Sequence, residues 1–100
     1  MATRESIEID FNKAMELAGQ LDDIAAYIEG EINSVLSGSL QEIAGNWKGS
    51  NAEKYIAQGG ILEDRLQTDI AEYRQAAQDI RDTAKRYYEA EMAAISLIDM

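Results

Sequence analysis

The segment Ala44-Gly45-Asn46-Trp47-Lys48-Gly49-Ser50-Asn51-Ala52-Glu53 sits at the middle of a 100-residue chain. It decides the fold, because a helical pattern runs into it from one side and a second leaves on the other. Gly45 is placed as a C′ residue, since a left-handed backbone costs glycine little. Ser50 and Glu53 read as a capping box opening the second helix. Outward from this turn, apolar or small residues recur at steps of three and four, which is a helical period. Towards the N-terminus the stripe is Ile7, Phe11, Ala14, Ala18, Leu21, Ala25, Ile28, Ile32 and Val35. It then drifts by one position to Leu36, Leu40 and Ile43, while Leu17 and Ile24 widen it. Towards the C-terminus it is Leu62, Leu66, Ile70, Tyr73, Ala77, Ile80, Ala84, Tyr87, Ala94 and Ile98. Charged residues fill the opposite faces, as amphipathic helices require.

The expected fold is all-α, an antiparallel helix-turn-helix hairpin forming one domain. Helix 1 spans about 5–44, the turn about 45–50 and helix 2 about 51–95, with a short C-terminal tail. Thr3 or Ser6 caps the first helix, with Glu5, Glu8 and Asp10 near its positive end. Gly19, Gly30 and Gly38 each cost about 1 kcal/mol relative to alanine in a helix interior. Packing is expected to override that cost. At Gly59-Gly60 two readings stand equally: a cost that packing overrides, or a sharper cause, either close backbone approach of a partner helix or a local kink.

Two helices side by side bury only the strip where they touch, and this stripe is broader than that. Each large apolar side chain fully buried is worth roughly 1.5–3 kcal/mol, and extended apolar patches are rare on monomers. A second copy is the simplest cover, giving a two-fold four-helix bundle. Phe11, Ala14, Leu17, Ala18, Leu21, Ile24, Ile28, Ile32, Leu62, Leu66 and Ile70 are the expected core and dimer-interface residues.

Composition removes several functions. The chain has no Cys, His or Pro, and 9 basic against 19 acidic residues give a formal charge of −10. Cysteine and histidine chemistry is therefore absent, along with the usual transition-metal ligands. Scattered basic residues on an acidic chain do not suit nucleic acid, where Lys and Arg displace counterions from phosphate. The longest unbroken apolar run is Ile24–Ile28, against the roughly 20 residues of a membrane span, and MATRESIEID has no apolar leader segment. Asp22-Asp23 and Glu63-Asp64 are adjacent on helices, so each pair diverges. No Gly-rich phosphate loop is present. No enzyme activity, cofactor or metal is expected. Trp47, the only Trp, lies in the turn, with two compatible readings: a plug over the helix ends, and an exposed or half-exposed recognition aromatic.

Trp47-Lys48-Gly49 in a central turn resembles the WXG (ESAT-like) family of hundred-residue type VII secretion substrates. Tyr87-Tyr88-Glu89-Ala90-Glu91 adds the family's Tyr-x-x-x-Asp/Glu pattern as Tyr87 and Glu91, and Ala94 and Ile98 fit its apolar extension. The resemblance spans the whole chain. It implies an antiparallel hairpin that folds and dimerises in the cytoplasm. Export then proceeds without a cleaved leader, through a membrane complex with a motor ATPase. It also implies a composite export signal, Trp47 and Gly49 from one subunit beside Tyr87 and Glu91 of the other. Both motifs in one chain favour a homodimer, as in Bacillota-type members. The implied partners are a second copy, the type VII secretion ATPase and a larger co-secreted substrate. Two alternatives remain: a cytosolic adaptor or chaperone for a larger toxin, and a membrane-active protein triggered below about pH 4–5, where carboxylates protonate.

Overall fold

A computed structural model describes residues 3–98. These are helical except for Thr3 and the turn at 47–49: α1 (Arg4–Glu31), a π-helical turn (Ile32–Leu36), α2 (Ser37–Asn46) and α3 (Ser50–Ile98). The all-helical hairpin expected from the sequence is the fold found. Its contacts gather into two compact units, one of α1 up to Asp22 with α3 from Arg74 onward, the other Asp23–Tyr73.

Thr3 caps α1. Its Oγ1 accepts the Ser6 N–H at 3.0 Å, its own N–H donates to Ser6 Oγ at 2.8 Å, and its carbonyl accepts from Ile7 N–H at 2.9 Å. This is a reciprocal cap with serine in the place usually held by Glu or Gln.

In the unit of α1 and the later part of α3, the helices run antiparallel over Ile7, Ala18 and Ala77, all buried. Alanine at such a seam lets two helix backbones come closer than larger side chains allow. Phe11 stacks tilted against Tyr88, with ring centroids 4.9 Å apart. Arg81 Nη2 donates to Asp22 Oδ2 at 2.5 Å, an ion pair with side chains 25 and 37 % exposed. The two pairs, 11 with 88 and 22 with 81, fix the antiparallel register.

In the Asp23–Tyr73 unit the core is Ala25, Ile32 and Ile70, with Ile28 and Leu66 packed against it. Ser37 Oγ donates to Glu63 Oε1 at 3.1 Å. The Leu40 side chain fills the space where a Cβ on Gly59 would stand. Close approach is thus the reason for glycine at 59, whereas Cβ atoms at 19, 30, 38 and 60 would meet open space.

The π turn accounts for the one-residue drift of the stripe. Ser37 N–H donates to the Ile32 carbonyl, five residues back. One extra residue in a turn rotates the downstream helix by about 100°. Leu36 therefore faces inward where Val35 would have, and Val35 is exposed. Ser34 Oγ donates to the Gly30 carbonyl at 2.8 Å, a side-chain bond that competes with the normal helical ladder.

The expected boundaries shift at the turn. Gly45 lies inside α2, which continues to Asn46. Trp47, with φ −108° and ψ 141°, ends it in extended conformation and donates its N–H to the Ile43 carbonyl at 2.9 Å. The left-handed residue is Gly49, at φ 104°, the only positive φ among the described residues. Ser50 is already helical, and the Glu53 N–H bonds to the Gly49 carbonyl at 3.2 Å. Gly49 therefore holds the cap position that the sequence pattern gives to Ser50. Downstream, α3 continues past 95 to Ile98.

Candidate protein-interaction surfaces

The seam inside each unit selects only part of the apolar stripe. On α3 the inward positions include Ala52, Ile56, Gly59, Glu63, Leu66 and Ile70, then Ala77, Arg81, Ala84, Tyr88 and Glu91. These are spaced by three, four or seven, the 3.5-residue period of helices that supercoil together. Leu62, Tyr73 and Tyr87 fall beside that seam and stay exposed.

Among the residues expected to form core and interface, Ala18, Ile32 and Ile70 are buried, and Phe11, Ala14, Leu21, Ile28 and Leu66 are half-buried. Leu17, Ile24 and Leu62 are between 44 and 49 % exposed. These three stand beside the seam of their own unit and remain about half exposed to solvent.

The turn presents aromatics. Trp47 is 56 % exposed and makes an edge-on contact with Tyr55, ring centroids 6.1 Å apart. Both rings belong to the Asp23–Tyr73 unit. The indole is thus more than half open to solvent. Gly49 beside it is exposed and supplies the backbone conformation that L-residues rarely adopt.

The remaining signature residues lie in the other unit. Tyr87 is 65 % exposed, Glu91 is half-buried, and Ala94 and Ile98 are exposed on α3. Tyr87 and Glu91, one helical turn apart, both line a groove of about 470 Å³ between α1 and α3. Its apolar lining comes from Ile7, Phe11 and Ala14 on α1 and from Ile80, Ala84, Tyr87 and Tyr88 on α3. Its polar lining is Asp10, Asp79, Glu91 and Thr83. Asp79 Oδ1 accepts a hydrogen bond from Gln75 Nε2 at 2.9 Å, which orients the carboxylate. Sequence reading passes over Tyr88, Asp10 and Asp79. Tyr88 had a signal, its 3.5-residue spacing with Ala77, Arg81 and Ala84. Asp10 and Asp79 look like solvated-face acids until the two helices are set side by side.

No group of three or more metal-binding side chains gathers among the described residues. No described helix is long and apolar enough to cross a membrane. The chain matches no family model, no curated protein and no solved structure.

Proposed function

We propose that this chain is a small helical-hairpin substrate of a type VII (ESX/Yuk-like) secretion system, exported in folded form. It acts through protein–protein contact, as a homodimer whose two hairpins form a four-helix bundle. The observation that carries the reading is the accessibility of both half-signals. Trp47 stands exposed beside left-handed Gly49, while Tyr87 and Glu91 meet in one open groove. The half-exposed Leu17, Ile24 and Leu62 support pairing, since a second hairpin removes them from water.

A second reading is an adaptor that docks the helical domain of a larger co-secreted protein. The groove favours it, being an elongated apolar surface already open in the single chain.

The test is fractionation of cells with and without the secretion motor ATPase. Export that depends on the motor, and is lost in Trp47→Arg and Glu91→Ala, supports the proposal. Equal amounts in the medium with and without the motor overturn it. Retention in the cytoplasm, together with co-purification of a larger helical protein, selects the adaptor reading.

A further inference from the structure

We infer that the groove between α1 and α3 docks a cationic amphipathic helix supplied by a different protein. The inference rests on the protein–protein reading above and names the partner's chemistry.

Shape comes first. The α3 side of the groove runs from Asp79 to Glu91 and the α1 side from Ile7 to Ala14. At 1.5 Å per residue the α3 wall is roughly 18 Å long. That is the length of about three helical turns, and it suits a helix anchored at i, i+3/i+4 and i+7. Apolar side chains floor it along this length.

Charge then selects the occupant. Asp10, Asp79 and Glu91 all border the apolar floor, and no Lys or Arg among the described residues lines it. Arg86 reaches its edge through Thr83 Oγ1 at 3.4 Å. The lining itself therefore carries three carboxylates and no cation among the described residues. A helix with an apolar face flanked by Lys or Arg would bury the floor and satisfy the rim together. Complementary charge of this kind sets partner choice and association rate. A second copy of this chain carries −10 and brings like charge to the rim. Of the residues expected at core and interface, Phe11 and Ala14 line the groove, whereas the more exposed Leu17, Ile24 and Leu62, which support pairing, lie outside it.

The experiment titrates the full chain into a fluorescently labelled 15-residue Leu/Lys amphipathic helix and tracks anisotropy. A Leu/Glu helix and a scrambled Leu/Lys peptide serve as comparisons. Two protein variants carry the same net charge: Asp10→Asn/Asp79→Asn/Glu91→Gln at the rim, and Glu31→Gln/Glu42→Gln/Glu53→Gln elsewhere. The expected result is binding of the Leu/Lys helix alone. It weakens about tenfold or more in the rim variant and less than about threefold in the other. Binding also falls with added salt, as paired charges are screened. Equal weakening in both variants overturns the inference, since it reports diffuse attraction to an acidic protein. Equal binding of the Leu/Glu or scrambled peptide overturns it too, as does no binding at all. A protein that sediments as a dimer, turns monomeric in Ala84→Arg and fails to bind the Leu/Lys helix assigns the groove to a second copy, which also overturns it. Export is not part of the measurement, so a protein that stays in the cell yet binds the helix removes the secretion proposal and leaves this one standing.

Discussion

Leu40 occupies the volume that a Cβ at Gly59 would need, its Cγ within 3.1 Å of that position, while Gly60 next to it faces open space. Two adjacent glycines in one helix thus stand there on different terms. Gly60→Ala is expected to raise stability by about 1 kcal/mol, the helix-propensity difference between the two residues. Gly59→Ala gains the same propensity and loses it again in displacing Leu40, so its net effect is near zero or destabilising. Urea denaturation of the two variants checks this. A Gly59→Ala protein as stable as Gly60→Ala shows that the close contact carries no energy.

The π turn is one residue too many for a continuous α-helix. Deleting Asn33 places Leu36, Leu40 and Ile43 in uninterrupted 3.6-residue phase with Ile28 and Ile32. The deletion is expected to keep full helicity and a cooperative unfolding transition. Deleting Gln20, on the exposed face of α1, rotates the preceding stripe by about 100° and is expected to collapse the thermal transition. Circular dichroism melts of the two deletions separate the cases. Equal damage from both shows that the π turn is not a register insertion.

Asp22 and Arg81 are partly exposed, so their attraction is screened by solvent. A double-mutant cycle with Asp22→Asn and Arg81→Gln is expected to give a coupling of about 0.2–1 kcal/mol, smaller in 1 M salt. A coupling that salt leaves unchanged contradicts the assignment of this pair as a solvent-screened clamp.

Trp47 is the chain's only tryptophan and reports on the turn alone. Its fluorescence is expected to be readily quenched by acrylamide, and more so in Tyr55→Ala, which removes its edge-on neighbour. Trp47→Arg forfeits that aromatic contact, worth about 0.5–1.5 kcal/mol, and leaves the rest of the fold intact. Loss of cooperative unfolding in Trp47→Arg shows the indole to be structural, and any loss of export in that variant then says nothing about recognition.

Self-association is checked by sedimentation. At micromolar concentration the wild type is expected at twice the monomer mass, and Leu62→Lys at the monomer mass with unchanged helicity. A stable wild-type monomer removes the four-helix bundle from the proposal.

The helices were legible because their period survives for nine or ten repeats on each side of the turn. Even the π turn left a trace, as the one-position drift from Val35 to Leu36. Where the sequence misleads, the reason is local degeneracy. Gly45 and Gly49 are equally able to adopt a left-handed backbone, and only the last hydrogen bonds of α2 decide between them. Tyr87 and Tyr88 are chemically identical neighbours about 100° apart on a helix. The broad stripe includes Tyr87, but the narrow seam takes Tyr88 against Phe11. Neither Asp10 nor Asp79 signals a groove alone, because their relation exists only across two helices far apart in sequence.

Gly49 leaves a stereochemical signature. At φ 104° the reversal between α2 and α3 passes through the one residue that has no handedness of its own. Replacing it by chemical synthesis with D-alanine keeps the conformation and trims the freedom of the unfolded chain. L-alanine at the same place fights the bend. Mirror-image substitutions of a single methyl group thus pull the stability of this protein in opposite directions.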